Sequence, residues 1–261
     1  MINRVFERLG LDKRKGEVQF LSNAFEKVCI EGFEDKLQRF ESEKEERVRE
    51  NWEEKKRNNP HIFPGPLGSV AAFKVVDETL KLWLRRTRFD LYDGLRNEAP
   101  SYLDSTKKPL DRDFPLPLSV GAVTVTDDNK IIFGIRSKAT AFGKDGAVML
   151  PSGYFNPDRD ASVQELIRKE LEEEVGIRDF EIERWGGLVY DGKVAKQPLL
   201  SLRIKVPHSS EEIEDIKGEI DKEVKNVHYV DNKIDAVKEF IDEYPPLPHS
   251  MANLVLHFYL P

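Results

Sequence analysis

With one cysteine, Cys29, in 261 residues, the chain can form no internal disulfide and no thiolate zinc cage. A reducing, cytoplasmic setting is the expectation that follows. No apolar run approaches the roughly 20 residues that a membrane span needs. The first residues, MINRVFERLGLDKRKGE, also lack the long apolar stretch of a secretory signal. Basic charge is in deficit: 41 Lys and Arg stand against 48 Asp and Glu, a net charge of −7. Duplex nucleic acid is held by a basic face that displaces counterions, so nucleic-acid and membrane partners are disfavoured. Small phosphorylated ligands stay open, because a local cation can offset their charge. Histidine is scarce as well. His61, His208, His228, His249 and His257 show no metal-ligand spacing and no Ser-His-Asp or Cys-His arrangement. Histidine-based nucleophilic catalysis is left without support.

What is present is a long, charged, globular chain without repeats or low-complexity tracts. Phe33, Leu37, Phe40, Val48 and Trp52 recur on one face and predict a charged helix over residues 33–57, stopped by NNPHIFPGP. GSVAAFKVV and TLKLWLRRTRF, on either side of Asp77-Glu78, predict a β-hairpin. Residues 89–117 are proline- and charge-rich and read as a connector with room for one short helix. From Leu118 the character changes. LSVGAVTVT and KIIFGIRS flank the turn DDNK as two strands, and AVMLPSG is a third short apolar run. Val163, Leu166, Ile167 and Leu171 stripe a helix over 161–175, with Asp160 or Ser162 as its cap and Gly176 at its exit. FEIERWGGLVY, PLLSLRIKV and VKNVHYV read as further strands, followed by helices near 233–242 and 249–259. The fold class expected is an α/β sandwich spanning residues 111–261, with an N-terminal α+β extension over 1–110. The extension's hairpin has too little core to stand alone, so it is expected to pack on the main domain.

The stretch RKELEEEVGI carries the chemistry. Residues three and four apart share a helix face, so Glu170, Glu173 and Glu174 project together while Ile167 and Leu171 turn to the core. Three close carboxylates repel one another unless a cation or basic partner is present. Their hard oxygens suit Mg²⁺ or Mn²⁺. Taken alone, the helix reads more readily as a solvated surface, with Arg168–Glu172 and Lys169–Glu173 as ordinary i,i+4 pairs. The LPSG before it and the Gly-Ile after it favour a metal face instead.

At these residues the chain resembles the Nudix hydrolases, whose box reads G-x5-E-x7-R-E-U-x-E-E-x-G-U, with U aliphatic. Lys169 to Ile177 match its second half with Lys in place of Arg, LPSG resembles the usual L-P-G-G, and KIIFGIRS resembles the strand ending in arginine, here Arg136. The resemblance covers about residues 118–260 and implies an α/β/α sandwich with a mixed sheet. It also implies a Mg²⁺- or Mn²⁺-dependent diphosphate hydrolase with Glu170, Glu173 and Glu174 on the metal. Main-chain carbonyls of Ser152 and Gly153 are implied as further ligands. A distal acid, Glu223 by position with Glu219 and Asp221 as rivals, is implied as ligand or base. The box's first glutamate falls at Ala161, and the segment from Gly153 to Lys169 is two residues longer than the pattern. Asp158 or Asp160 is the candidate substitute.

The first hundred residues are similar to the extension of a divergent Nudix group that splits UDP-glucose and UDP-galactose into UMP and the sugar 1-phosphate. The similarity rests on the helix ending near Trp52, on Phe63-Pro64-Gly65-Pro66, and on Thr87-Arg88-Phe89-Asp90 with Tyr92 and Gly94. A uracil or sugar needs an apolar, partly aromatic pocket with a few directed polar groups. Phe63 and Tyr92 are the candidate aromatics, and Arg88 and Arg136 the candidate phosphate contacts. A binding module that has lost turnover remains an alternative. So does a Nudix hydrolase for ADP-ribose, dinucleotides or nucleoside triphosphates.

Overall fold

The computed structural model describes residues 1–22, 25–58, 62–106, 108–137, 145–216 and 224–260. The extension runs α1 (Ile2–Arg8), β1 (Val18–Ser22), β2 (Lys27–Glu34), α2 (Ser42–Asn58), β3 (Pro66–Val76), β4 (Thr79–Arg88) and α3 (Phe89–Leu95). Then follow β5 (Ser119–Val125), β6 (Lys130–Arg136), β7 (Ala147–Met149), β8 (Ser152–Tyr154) and α4 (Val163–Val175). The chain closes with β9 (Glu181–Asp191), β10 (Gln197–Lys205), α5 (Ser210–Ile216), β11 (Val224–Asp231), α6 (Ile234–Glu243) and α7 (Pro248–Tyr259).

β5 is the organising strand. All of its residues are buried, which requires cover on both faces of the sheet. Alternation along the strand then sorts its side chains: Val120 and Ala122 enter one apolar cluster, Val123 and Val125 the other. The first cluster takes in Leu166, Ile167 and Leu171 of α4. The second takes in α1, α6 and α7 through Phe6, Val237 and Met251. The result is an α/β/α sandwich around an eight-stranded sheet of order β1-β9-β10-β5-β6-β11, with β7 against β6 and β8 against β5. The sheet is mixed, since β10 runs parallel to β5 and antiparallel to β9.

The extension is built into this sandwich. β1 adds an antiparallel edge strand beside β9. A second sheet, β2-β4-β3, places Val70, Leu80, Leu82 and Leu84 in the same cluster as Val120 and Leu166. The expected hairpin is β3-β4, turning at Asp77 (φ 47°) and Glu78 (φ 57°). The helix expected over 33–57 is shorter, because Lys27–Glu34 is a strand and the helix begins only at Ser42. Phe33 therefore lies on β2, paired with Leu84 of β4. A parallel partner so far along the chain leaves no mark in a local window. α5 had no sequence expectation. No helix among the described residues is long and apolar enough to cross a membrane.

Candidate functional site

Local chemistry sets the bounds of α4. Ser162 has extended backbone, and its hydroxyl accepts the Glu165 N–H at 3.2 Å. Glu165 reaches back to the Ala161 N–H at 2.7 Å. Gly176, with φ 81°, ends the helix in the left-handed conformation that glycine adopts without strain. With Leu166, Ile167 and Leu171 buried, the next face of the helix lies along β8.

There the three glutamates part company. Glu174 is buried and accepts the Ser152 N–H at 3.0 Å. Glu170 lies over Gly153 so closely that a Cβ on residue 153 would stand 2.3 Å from its Oε1. Only glycine leaves room for that carboxylate. Glu173 is exposed, and its Oε1 lies 3.3 Å from Arg159 Nη2. The expected i,i+4 pairs do not form: Glu172 meets Arg178, and Arg168 sits 5.8 Å from the Phe180 ring. Among the described residues, no three His, Cys, Asp or Glu side chains are grouped to hold a metal ion. Glu174 instead meets the Ser152 N–H, and Glu173 the Arg159 guanidinium. The donor set fits a hard divalent cation by its chemistry. Glu170 and Glu174 stand beside the main chain of Ser152 and Gly153, held close by the absence of a side chain at residue 153, and Glu173 lies on the exposed side of the same helix.

The altered first half of the box is compensated. Lys169 Nζ lies 3.0 Å from Asp160 Oδ1 and 3.7 Å from Glu165 Oε1. The other oxygen of Asp160 accepts the Asn156 N–H at 2.8 Å. Asp160, not Ala161, thus supplies the acid that meets the residue-169 cation. Asp158 goes elsewhere. It takes a two-pronged bond from Arg86 of β4, at 3.0 and 2.6 Å, while Arg86 Nε donates to Asp35 at 2.6 Å.

The expected substrate residues are scattered. Arg88 forks onto Asp90 at 3.0 and 2.7 Å. Tyr92 is fully buried, which corrects its reading as an open pocket wall. Its hydroxyl donates to the Ala195 carbonyl and also meets Gln197 Oε1 at 2.7 Å. Its ring packs edge-on against Tyr154 of β8, with centroids 5.8 Å apart, and Phe89 bridges Trp52 to both tyrosines. Burial pushes the Tyr92 hydroxyl well above its ordinary pKa and Tyr154 likewise, so both stay protonated. Phe63 is 69% exposed. Arg136 ends β6, opposite Val224. Glu223 lies outside the described residues, as do its rivals Glu219 and Asp221. A groove of about 370 Å³ between Asp179, Phe180 and Lys205 lies beyond the far end of β5 from Gly153 and is no part of this site. Tyr154 and Arg159 carried no sequence expectation, although one follows directly on LPSG and the other lies six residues past its glycine.

No protein-family profile and no curated protein matches the chain. Among solved structures it is similar to a MutT protein from Methanosarcina mazei Go1, at 18% identity over 56% of this chain and 94% of that one, with a TM-score of 0.41. It is also similar to a Nudix hydrolase from Nitrosomonas europaea, at 16% identity over 55% of this chain and 88% of that one, with a TM-score of 0.39. The Nudix domain of Shewanella oneidensis NrtR, solved with ADP ribose, is 15% identical over 61% of this chain and 94% of that one, with a TM-score of 0.39. At these scores the likeness by itself assigns neither family nor activity.

Proposed function

We propose that the protein is a Nudix-type hydrolase that splits a nucleoside diphosphate linked to another group, with a UDP-sugar as the substrate and UMP and a sugar 1-phosphate as products. The observation that carries this reading is the seating of the glutamate helix on β8, with Glu170 over Gly153 and Glu174 on the Ser152 N–H. A divalent cation bound by Glu170, Glu173, Glu174 and the main chain of 152–153 would supply charge compensation for the phosphoryl oxygens and a lower pKa for the attacking water. The chain's own groups do the rest. Glu174 is held by Ser152 and orients the face. Glu173 is open to solvent and so is placed to take the water proton on a carboxylate oxygen. Arg88, Arg136 and Phe63 stay proposed substrate contacts, and Tyr92 acts behind them by supporting Tyr154. Glu223 is retained as a proposed additional acid.

The UDP-sugar assignment rests on the FPGP and TRFDLYDG segments of the extension. The test is product analysis after incubation with Mg²⁺ and, separately, UDP-glucose, ADP-ribose, NAD and nucleoside triphosphates. UMP and glucose 1-phosphate from UDP-glucose, lost in Glu173→Gln, are the expected outcome. Full activity in Glu173→Gln sinks the metal-site assignment, cleavage of another substrate alone moves the specificity, and binding without turnover selects the module reading.

A further inference from the structure

We propose that Arg159 is a substrate-contacting residue of this site: it pairs with Glu173 and is released to the diphosphate when a metal takes that carboxylate. The inference rests on the hydrolase reading above and adds to it a cation that neither the box nor the extension motifs assign.

The backbone on either side of Arg159 is pinned. Asp158, one residue before, is clamped by the Arg86 fork from β4, and Arg86 is itself held by Asp35 and lies 5.7 Å from the Phe33 ring. Asp160, one residue after, is buried against Lys169 and the Asn156 N–H. The Arg159 carbonyl accepts a bond from Lys169 Nζ. Residue 159 is thus fixed through its neighbours to both the extension and α4.

Its side chain is treated in the opposite way. The guanidinium is 59% exposed and meets, among the described residues, one carboxylate at 3.3 Å, itself 53% exposed. An ion pair so open to water is worth about 1 kcal/mol or less. A divalent cation displaces it at little cost. Two arginines of the extension already meet carboxylates, Arg86 on two sides. Arg86 spends its donors on Asp158 and Asp35, and Arg88 is forked onto Asp90. A planar guanidinium on a fixed stem, within ion-pair reach of a proposed metal ligand, is suited to grip phosphate oxygens in two-pronged fashion.

The test compares wild type, Arg159→Ala and Arg159→Lys in two measurements. The first is Mn²⁺ binding without nucleotide, read by electron paramagnetic resonance. Removing the competing cation is expected to tighten Mn²⁺ in Arg159→Ala by about two- to fivefold. The second is steady-state hydrolysis of UDP-glucose and of ADP-ribose. Loss of a charged phosphate contact is expected to raise KM roughly tenfold or more in Arg159→Ala, with partial recovery in Arg159→Lys. A wild-type protein that binds no Mn²⁺ overturns the hydrolase reading and this inference with it. A wild type that binds Mn²⁺ and turns over, with KM unchanged in Arg159→Ala, overturns the inference alone. If neither substrate is cleaved, the same comparison is made on the Kd for UDP-glucose with Mn²⁺ present, and an unchanged Kd overturns it.

Discussion

Lys169 and Asp160 form an ion pair, 3.0 Å from Nζ to Oδ1, in which the carboxylate side chain is only 3% exposed. The pair ties the middle of α4 to the loop that follows β8. The acid that meets Lys169 is thus residue 160 and not residue 161, where the chain has alanine.

Removing one partner strands the other. Lys169→Met is expected to destabilise the protein by about 3 kcal/mol, because a buried carboxylate is left uncompensated. Lys169→Met combined with Asp160→Asn is expected to recover most of that loss. Urea denaturation of the two single variants and the double variant measures the coupling. Additive losses mean that the pair is not coupled.

Gly153→Ala tests the site with one methyl group. The new Cβ has nowhere to go unless Glu170 moves, since it would stand 2.3 Å from Oε1. The expected result is at least a roughly tenfold loss of diphosphate hydrolysis with stability changed by about 1 kcal/mol or less. Activity assays alongside thermal melts separate the two effects. Unimpaired hydrolysis means that Glu170 works equally well away from Gly153.

Tyr92 and Phe63 are expected to respond in opposite ways. Tyr92→Phe leaves Gln197 Oε1 and the Ala195 carbonyl facing an apolar edge in the interior, at a cost of about 1–3 kcal/mol. Phe63→Ala removes an exposed ring and is expected to change stability by only about 0.5 kcal/mol while raising KM. Melting temperatures and KM values for both variants decide whether the aromatics of the extension divide into support and contact as proposed.

His257 is expected to make stability fall in mild acid. Burial first, and then Arg203 and Arg184, lower its pKa from 6.5 to about 3. Between those values the unfolded chain binds a proton that the native imidazole refuses. The native state is therefore fully favoured above about pH 6.5 and loses stability as pH drops toward 3, by up to about 1.4 kcal/mol per pH unit. His257→Gln is expected to flatten this slope in urea denaturation at pH 7.5 and 5.5. A wild-type slope matched by the variant assigns the acid sensitivity to other groups.

The main domain was legible because its signals are local. β5 and β6 are dense in β-branched residues, β9 and β10 are apolar runs, and α4 carries a helical stripe between a serine cap and a glycine exit. The extension was only half legible. β3 and β4 turn on adjacent residues and declared themselves, whereas β1 and β2 owe their strand form to β9 and β4 and carry no strong local pattern. In the site the contrast is sharper. The three glutamates share a face by helical spacing alone. That Glu174 would turn inward to Ser152, and Glu173 outward to Arg159, depends on which side of α4 meets β8.

Sequence by itself determined the α/β class, the presence and glycine exit of the glutamate helix and the residue types that a hard cation would require, because each follows from periodicity, capping and charge within a short window. Tertiary structure alone decided which acid meets Lys169, that Tyr92 is enclosed and not displayed, and that Arg86 reaches from the extension to Asp158. Those are contacts between segments far apart in the chain. Long flexible charged side chains settle on whichever partner packing brings within reach, and no local pattern encodes that choice.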